Sequence, residues 1–430
     1  MEQAVRKIAL LGMGTVGGGV YEIIERQKEE MPFKIGAALE VVKVLVRNKA
    51  KYADRIPAEK LTDVWEDVIG DDSIDIVVEV MGGIEPARTY IKAALEKGKH
   101  VVTANKDLMA MHGHELLELA GEHHCDLLFE AAVAGGIPII RPLKQCLAGN
   151  NITEIMGIIN GTTNFILTKM KEDGMDFGEA LQLATDLGYA EADPTADIEG
   201  YDAGRKLAIM ASIAFHTSVT FVFTEGITKI TAKDMRYAKE MGCSIKLLGI
   251  AKNTETGIEV KVHPTMIPEN HPLAAVNDSF NAVFVHGDAV DDAMFYGRGA
   301  GALPTGSAVV GDIMDVARNM LFHCNGRIGC SCYKNLPIKQ IGDTTSRYYI
   351  RMRLEDRAGT LAAMAGVFAE NDASIAILLQ KETIENDAEI VVVTHEVAEK
   401  NFMDAIKKFS SMEMVKGISS IIRVYALGNI

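Results

Sequence analysis

A glycine-rich turn near the N-terminus constrains the fold of this chain more than any other feature. It follows the apolar run KIALL, opens a predicted helix and consists of Gly12, Met13, Gly14, Thr15, Val16 and Gly17. A strand, such a turn and a helix together are the context in which a GxGxxG fingerprint binds a dinucleotide. Gly12 allows the tight turn, Gly14 lets backbone N–H groups approach a pyrophosphate, and Gly17 lets the helix pack closely on the strand. A turn with a purely structural role is the alternative.

Short β-rich runs alternate with segments of helical period through about residue 130. That alternation predicts an α/β fold, a doubly wound parallel sheet of the Rossmann type. We therefore expect residues 1–150 to form an NAD(P)-binding domain. A helix at about 304–322 follows a later series of strands, and we expect it to pack back onto this domain and complete it.

The remaining sequence predicts two further domains and a linker. Residues 151–303 change to helices followed by β-like runs, which indicates an α+β substrate domain. Residues 323–346 have no clear period and contain Gly, Pro and Asn, as linkers do. Residues 347–430 have the order β-α-β-β-α-β, which is typical of a small ferredoxin-like sandwich.

The charge balance argues against nucleic acid and membranes as partners. The 430 residues carry a net charge of -15, whereas a phosphate backbone attracts a basic face. The longest apolar stretch, 207–223, falls short of a membrane span and is interrupted by polar residues. The scattered cysteines indicate reduced thiols, and the N-terminus lacks the pattern of a signal peptide. We expect a cytoplasmic protein whose partners are small molecules.

The end of the second predicted strand bears on the choice of cofactor. An NAD-selective site usually has Asp or Glu there to hold the ribose hydroxyls, but this strand ends Val46-Arg47-Asn48-Lys49. Arg47, together with Lys49 or Lys51, would instead bind the 2′-phosphate of NADP. The alternative is that these residues are solvated loop cations, which leaves NAD possible.

Carboxylates crowd one segment of the second domain. They are Glu191, Asp193, Asp197 and Asp202, and Lys206 is the adjoining cation. Such a patch suits a substrate with a positive amino group, with Lys206 near the reacting oxygen as general acid and base. Asp202 and Lys206 are four apart on a predicted helix, so an exposed ion pair is the alternative. A second lysine, Lys106, lies just beyond the predicted strand HVVTA, and ligands bind at the carboxyl ends of such strands.

Five sequence blocks resemble, in order, the signatures of homoserine dehydrogenases. They are TANK at 103–106, FEAAVAGGIPII at 129–140, GIINGTTNFIL at 157–167, GYAEADPTADIEGYDAGRK at 188–206 and GRGAGALPTGSAVVGDI at 297–313. The resemblance spans nearly all of residues 1–322. It implies reversible, NAD(P)-dependent interconversion of L-aspartate 4-semialdehyde and L-homoserine, on the route to threonine, isoleucine and methionine. It also implies that the second domain mediates dimerisation, in a homodimer or homotetramer.

The resemblance assigns roles to individual residues. It implies that Lys206 donates and accepts the substrate proton during hydride transfer, and that Lys106 assists where cofactor and substrate meet. Glu191 would hold the substrate ammonium, and the turn of Gly161 and Thr162 would contact its carboxylate. The implied substrate contacts are Glu191, Asp202, Asp197, Gly188, Gly161 and Thr162. Gly301 is implied as a further cofactor contact.

A monovalent-cation site is also implied by the resemblance. The stretch 130–137 resembles the family's monovalent-cation loop, in which Glu130 and the carbonyls of Val133, Gly135 and Ile137 coordinate sodium or potassium. A plain glycine-rich turn has the same sequence.

Residues 347–429 resemble an ACT domain, particularly LEDRAGTL at 354–361. Such domains sense pathway end products, so L-threonine is the expected effector. Asp356, Gly359 and Gln380 are the expected contacts. A domain that only dimerises is the alternative.

Two rival interpretations stay open. A related nicotinamide-dependent dehydrogenase would act on a different amino-acid semialdehyde or hydroxy acid, and a catalytically silent sensor would bind nucleotide and signal through the ACT domain. The presence of both Lys106 and Lys206 argues against a sensor without catalytic activity. A metal or redox site is also conceivable where His323, Cys324, Cys330 and Cys332 lie together, although no zinc spacing is matched.

Overall fold

The computed structural model describes residues 4–384 and 387–425. Its contacts divide the chain into two compact units. The first unit comprises Met1–Ile155, Arg205–Phe221 and Asn281–Leu336, and the second comprises Met156–Gly204, Val222–Phe280 and Pro337–Ile430. Residues 1–3, at the start of the first predicted domain, and residues 385–386 and 426–430, in the last one, lie outside the described residues. No helix within the described ranges is both long and apolar enough to cross a bilayer.

The secondary structure follows the alternation that the sequence predicts. The strands are β1 (Ala4–Leu11), β2 (Ala37–Leu45), β3 (Leu61–Thr62), β4 (Ile76–Glu79), β5 (His100–Thr103), β6 (Leu127–Leu128), β7 (Ile152–Ile158), β8 (Phe223–Thr224), β9 (Cys243–Thr254), β10 (Gly257–Pro268), β11 (Phe280–Gly287), β12 (Asp291–Arg298), β13 (Thr345–Glu355), β14 (Ile375–Ile384), β15 (Asp387–Thr394), β16 (Val397–Ala398) and β17 (Val415–Val424). The α-helices are α1 (Thr15–Arg26), α2 (Met31–Ile35), α3 (Glu66–Ile69), α4 (Ala87–Glu96), α5 (Lys106–Glu122), α6 (Gly161–Glu172), α7 (Phe177–Asp186), α8 (Thr195–Ile198), α9 (Tyr201–Phe215), α10 (Ala232–Glu240), α11 (Ala302–Leu321), α12 (Thr360–Glu370) and α13 (Glu399–Ser411).

A parallel sheet forms the centre of the first unit. Its strands follow the order β3-β2-β1-β4-β5-β6, and every neighbouring pair is parallel. Ile8, Leu10, Val44 and Val78 on these strands are wholly inaccessible to solvent. Strands that are covered on both faces need continuous apolar runs, which is why these segments lack a two-residue alternation. The predicted doubly wound α/β sheet is confirmed.

Two glycines allow α1 and α11 to approach closely. A Cβ at Gly19 would lie 2.0 Å from the carbonyl oxygen of Ala302, and one at Gly306 would lie 2.8 Å from the backbone of Gly19. Contact at this range requires residues without side chains. Helix α11 therefore packs against the helix that follows the fingerprint turn.

A mixed sheet in the second unit contains β9, β10, β17, β13, β15 and β14 in that order. Strands β9 and β10 form an antiparallel hairpin. Strand β17 runs parallel to β10 where Arg423 lies opposite Thr265, and β8 pairs with β10 at Lys261 and Val262.

The C-terminal elements of this sheet form β13-α12-β14-β15-α13-β17, with the short β16 before α13. Their strand order is β17-β13-β15-β14, and Met364, Phe368, Phe402 and Phe409 form part of the core between helices and sheet. The predicted ferredoxin-like βαββαβ arrangement is confirmed. Its sheet continues into β10, so these elements share a sheet with the preceding part of the second unit.

Buried ion pairs reinforce that junction. The Arg351 guanidinium on β13 donates to Asp234 at 2.9 Å and to Glu389 at 3.1 Å, and all three side chains are buried. Arg423 on β17 donates to Glu225 at 2.6 Å. Because Asp234 and Glu225 precede β9, both arginines link the C-terminal strands to earlier parts of the second unit.

Residues 330–336 lie in the predicted linker but pack against the C-terminal end of α9 in the first unit. The ring of Tyr333 stacks on that of His216 with centroids 5.0 Å apart. The amide of Lys334 donates to the carbonyl of His216 at 2.8 Å, and the amide of Leu336 donates to Thr217 Oγ1 at 3.1 Å. These bonds join two irregular segments, so they leave no periodic pattern in the sequence.

Candidate active site

The fingerprint turn has the shape that its glycines require. Gly12 has φ +100°, and a Cβ at Gly17 would lie 2.2 Å from the carbonyl oxygen of Gly12. A Cβ at Gly14 would meet no atom of the described residues within 4 Å, its chain neighbours aside. The backbone at Gly14, where α1 begins, is therefore open to a phosphate group. Met13 is buried, and Gly301, with φ +123°, precedes α11 in the same unit.

The basic residues after β2 have different surroundings. Arg47 is exposed, whereas the Lys49 ammonium lies 2.7 Å from Asp63 and lowers the pKa of that carboxyl by its hydrogen bond. Lys51 lies over the ring of Tyr52. Sequence reasoning missed Arg55, whose guanidinium lies 3.5 Å from where a Cβ at Gly18 would be. Nothing in the irregular segment around Arg55 indicates that it reaches the helix of the fingerprint.

Polar residues order the carboxyl ends of β4 and β5. The buried Glu79 carboxylate accepts from Thr103 Oγ1 at 2.6 Å and from the amide of Met81 at 2.8 Å. Asn105 caps α5 by accepting from the amide of Leu108, and its Nδ2 donates to the carbonyl of Gly83 at 2.6 Å. Lys106 is thus the first residue of α5, half-buried at the end of a parallel strand.

The residues next to the two predicted catalytic lysines, Asp107 and Arg205, form an ion pair. Lys206 is half-buried on α9, and the preceding Arg205 places its Nη1 3.0 Å from Oδ1 of Asp107. Asp107 directly follows Lys106 on α5. The parts of α5 and α9 that carry the lysines are therefore adjacent within the first unit.

Asn160 organises the carboxylates of the second unit, and sequence reasoning missed it. Its Oδ1 caps α6 by accepting from the amide of Thr163 at 2.9 Å. Its Nδ2 donates to Asp197 at 2.7 Å and to the buried Asp202 at 2.9 Å. One amide thus brings together two of the predicted substrate carboxylates. Asn160 lies in the block at 157–167 and precedes a helix, a common capping position, but neither feature indicates which carboxylates it contacts.

Other predicted substrate residues flank this group. The hydroxyl of Thr162, at the start of α6, donates to the carbonyl of Tyr189 at 2.8 Å. Gly188 has φ +78°, and Glu191 is exposed just beyond it. Asp193 instead accepts from Thr195, a local turn that lowers the pKa of this carboxyl.

The predicted cation loop lies in the first unit. The Glu130 carboxylate accepts three backbone amides, from Ile139 at 2.5 Å, Ile140 at 2.7 Å and Arg141 at 2.8 Å. Gly135 has φ +53°, and a Cβ there would lie 2.3 Å from the carbonyl oxygen of Gly299. The loop therefore packs against the segment that leads to Gly301. The described ranges contain no group of three or more His, Cys, Asp or Glu side chains that could hold a metal.

The Asp312 carboxyl lies behind this loop and was also missed. It accepts from the amide of Glu130 at 2.8 Å and from Arg141 at 2.7 Å. Burial, and then the nearby Glu130, raises the pKa of Asp312 to about 7. Asp312 thus connects α11 to the predicted cation loop. Asp312 and Glu130 are 182 positions apart in the sequence, so no local sequence pattern indicates the contact.

Lys246, in the second unit, is a buried lysine that the sequence analysis did not single out. Lys246 on β9 donates to the carbonyl of Val276 at 2.5 Å and to Oδ1 of Asn277 at 3.0 Å. Burial, and then the charge of Lys171, lowers the pKa of Lys246 to about 8. Its ammonium is held by loop carbonyls, which indicates a structural role.

The predicted effector residues lie on different elements of the C-terminal part. Gly359 has φ +93° and caps α12 in the left-handed conformation. Asp356 is exposed in the loop before it, and Gln380 is exposed on β14.

A fingerprint turn on a parallel sheet, with two half-buried lysines nearby in the same unit, defines a dinucleotide-binding protein of the dehydrogenase class. Three family models match this chain: homoserine dehydrogenase over residues 138–314, the homoserine dehydrogenase NAD-binding domain over 12–130 and the ACT domain over 348–412.

Curated relatives match almost end to end. The homoserine dehydrogenase of Corynebacterium glutamicum is 47% identical over 97% of this chain and 95% of its own length. The homoserine dehydrogenase of Bacillus subtilis is 44% identical over 98% of this chain and 99% of its own length. The chain belongs to the homoserine dehydrogenase family, oxidoreductases that act on a CH–OH group with a nicotinamide nucleotide.

Solved structures agree with this assignment. The homoserine dehydrogenase from Thiobacillus denitrificans has a TM-score of 0.93 and 43% identity over 99% of this chain and all of its own. A hyperthermophilic archaeal homoserine dehydrogenase in complex with NADPH has a TM-score of 0.64 and 28% identity, over 73% of this chain and 97% of its own.

Proposed function

We propose that this enzyme reversibly interconverts L-aspartate 4-semialdehyde and L-homoserine with a preference for NADP. The observation that carries the proposal is the ion pair between Asp107 and Arg205, which joins the segments bearing Lys106 and Lys206. Both segments belong to the unit that contains the fingerprint turn. The reaction would serve threonine, isoleucine and methionine synthesis in the cytoplasm.

Lys206 is the proposed general acid and base. When bound, the nicotinamide supplies or accepts a hydride at the substrate carbon. The Lys206 ammonium donates a proton to the carbonyl oxygen during reduction, and its amine accepts the hydroxyl proton during oxidation. Lys106, at the start of α5, stabilises developing negative charge on the same oxygen where cofactor and substrate meet.

The proposed substrate contacts match a zwitterionic substrate in charge. Glu191, Asp202 and Asp197 would hold the amino group, and Asn160 supports this by orienting the last two carboxylates. The substrate carboxylate would lie against Gly161 and Thr162, where free amides begin α6. Gly188 would let the backbone approach the substrate closely, since it lacks a Cβ.

Cofactor binding is assigned to the fingerprint turn, Arg47, Lys106 and Gly301. The open space around Gly14 supports a pyrophosphate at the start of α1. Arg47 is exposed at the end of β2, where a guanidinium would bind a 2′-phosphate. Lys49 is the weaker candidate because its ammonium already pairs with Asp63.

A monovalent cation, sodium or potassium, is proposed in the loop of Glu130, Val133, Gly135 and Ile137. Oxygen ligands of this kind suit a hard, singly charged ion. The Glu130 carboxylate accepts three backbone amides, which supports the proposal because they order the loop around this residue. The role of the ion would be structural, since the loop packs against the segment leading to Gly301.

The domain roles follow the same reasoning. We assign cofactor binding to residues 1–150 with the helix at 304–322, and substrate binding and dimerisation to 151–303, in a homodimer or homotetramer. Residues 347–430, after the linker at 323–346, would bind L-threonine through Asp356, Gly359 and Gln380. The left-handed cap at Gly359 supports this because it leaves amides at the start of α12 for a carboxylate.

The test is a spectrophotometric assay of nicotinamide reduction with L-homoserine, using NADP and NAD, each with and without L-threonine. Homoserine-dependent reduction that is faster with NADP and inhibited by threonine is the expected result. No reduction at alkaline pH, and no oxidation of NADPH by aspartate semialdehyde, would contradict the proposed reaction. Equal rates with the two cofactors would contradict only the proposed NADP preference. An unchanged rate in the presence of threonine would contradict only the proposed regulation.

A further inference from the structure

A pocket of about 90 Å³ lies between the two lysine-bearing helices of the first unit. Its apolar wall comes from α5, α9 and a neighbouring segment, through Met109, Leu117, Phe129, Ile209, Ile213 and Val219. Its polar rim includes His114, Lys144, Ser212, Cys330 and Cys332. The proposed dehydrogenase reaction uses none of these residues.

The two thiols at this rim are two residues apart in sequence and have different surroundings. Cys330 Sγ lies 3.3 Å from Nδ1 of His114, and both cysteines line the pocket. Burial, and then the adjoining Cys330, raises the pKa of Cys332 to about 12. Cys332 therefore stays a thiol at physiological pH, while Cys330 has a nitrogen partner.

The half-buried Lys144 lines the same pocket as the two cysteines. The Lys144 ammonium donates to the carbonyl of Gly329 at 3.2 Å. Burial lowers the pKa of Lys144, and Cys330 and Cys332 are the strongest of the groups that oppose this shift. The thiolate is the nucleophilic form of cysteine, and a neighbouring ammonium stabilises a thiolate as it attacks a peroxide.

The cysteine segment is also fastened to α9. Cys332 Sγ lies 3.8 Å from the carbonyl oxygen of Ser212, and Tyr333 stacks on His216. Ser212 follows Lys206 by six residues, roughly 9 Å along the helix. Movement of this segment would therefore act on the helix that carries the proposed general acid.

We propose that Cys330 and Cys332 form a redox-sensitive dithiol that hydrogen peroxide oxidises to an intramolecular disulfide, lowering turnover. The Cys330 thiolate attacks one peroxide oxygen, so that an S–O bond forms, the O–O bond breaks and hydroxide leaves as water after protonation. Cys332 sulfur then attacks the resulting sulfenic acid. An S–S bond forms, the S–O bond breaks, and the Cys332 proton departs with the oxygen as a second water.

The spacing makes the disulfide a reversible one. A bridge across a single intervening residue closes a small ring, and strained disulfides have more oxidising potentials than structural ones. Cellular thiols would therefore return it to the dithiol. The state would persist only while peroxide is present.

The chain offers a direct readout. Tryptic cleavage after Arg327 and Lys334 releases the peptide 328–334, which contains both cysteines of the pair and no other. The intact enzyme is treated with hydrogen peroxide, alkylated and digested. We expect this peptide to be protected from alkylation and lighter by two hydrogens, with turnover reduced roughly three- to thirty-fold and restored by dithiothreitol.

Single variants separate this effect from other oxidation. Cys330→Ser and Cys332→Ser keep their basal turnover and lose the dithiothreitol-reversible inhibition, whereas Cys146→Ser, which removes an exposed cysteine, keeps it. Methionine oxidation is not reversed by dithiothreitol, so it does not imitate the result.

Two outcomes would overturn the proposal: a peptide with both cysteines still alkylated after peroxide, or a disulfide with unchanged turnover. The inhibition rests on the proposed dehydrogenase activity, but the peptide mass does not. A missing disulfide and a missing activity are therefore distinguishable failures.

Discussion

Arg205 and Asp107 form an ion pair with 3.0 Å between Nη1 and Oδ1, and each directly adjoins a lysine of the proposed site. The geometry is that of an ion pair and not of a directed hydrogen bond. Its side chains are 46% and 31% exposed, so its contribution to stability is small. Its consequence is positional, because it fixes the first turn of α5 against α9.

Asp107→Asn should therefore reduce turnover more than stability. We expect kcat to fall on the order of tenfold, because misplacing a catalytic group by a fraction of an ångström is costly. The free energy of unfolding should change by less than about 1 kcal/mol. Steady-state kinetics and chemical denaturation measure the two effects. Asp404→Asn, which breaks the exposed pair with Lys407, is the control, and equal kcat values in both variants would contradict the positional role.

Lys206→Ala should nearly abolish turnover. Loss of a positioned general acid and base lowers kcat by about 10²–10⁴-fold. Binding of NADPH, followed by its fluorescence, should stay close to that of the wild type. Lys97→Ala removes an exposed lysine of the first unit and should leave kcat intact. A Lys206→Ala enzyme with a near-normal kcat would refute the assigned chemistry.

Arg47→Ala should shift the preference between cofactors. Losing a charged hydrogen-bond donor to the 2′-phosphate should lower kcat/KM for NADP by roughly ten- to hundredfold and leave NAD almost unaffected. Lys49→Ala should have the smaller effect, because that ammonium pairs with Asp63. The ratio of kcat/KM values is the measurement. An unchanged ratio in Arg47→Ala would remove this residue from the site.

Arg351→Leu should destabilise the second unit strongly. It leaves the carboxylates of Asp234 and Glu389 buried without their guanidinium, which costs about 3–5 kcal/mol. Arg353→Leu, on the same strand but exposed, should change the free energy of unfolding by no more than about 0.5 kcal/mol. Urea unfolding of both variants checks this. Similar midpoints for the two would mean that the buried network is dispensable.

Lys246 predicts a dependence of stability on pH. Its folded-state pKa, about 8, lies below the value of 10.5 expected when unfolded, so the native state favours the neutral amine. The free energy of unfolding should therefore rise between pH 8 and pH 10.5, by about 3 kcal/mol at most. Lys246→Met should lack this rise and Lys239→Met, which replaces an exposed lysine, should retain it. Thermal unfolding across this range measures the difference, and parallel curves for Lys246→Met and the wild type would exclude Lys246 as its source.

The fingerprint turn and the parallel sheet could be predicted because each depends on local chemistry. Gly12 is required by its positive φ and Gly17 by its contact with the carbonyl oxygen of Gly12, and apolar runs of β-rich residues specify buried strands. Lys106 could be proposed as a site residue because it follows a strand of the parallel sheet, and ligands bind at the carboxyl ends of such strands.

Long-range partners could not be predicted in this way. Asn160 reaches Asp197 and Asp202, which are 37 and 42 residues away, and Arg351 reaches Asp234 over 117 residues. Such pairs leave no period in either segment, since each partner alone looks like an ordinary polar residue. The close contact of Gly19 with Ala302 is hidden for the same reason, although three successive glycines at 17–19 are unusual inside a helix.

The pairing of β10 with β17 affects how the chain folds as it is made. Strand β10 leaves the ribosome long before β17, and β8 covers its outer edge only at Lys261 and Val262. At Thr265 and Met266 the edge of β10 stays unpaired until β17 has been synthesised. An unpaired strand edge can pair with the wrong strand. Glu259, Lys261 and His263 lie along the same strand, and polar groups on an edge discourage such pairing. Nascent chains should therefore be most prone to aggregate in the interval between the synthesis of these two strands.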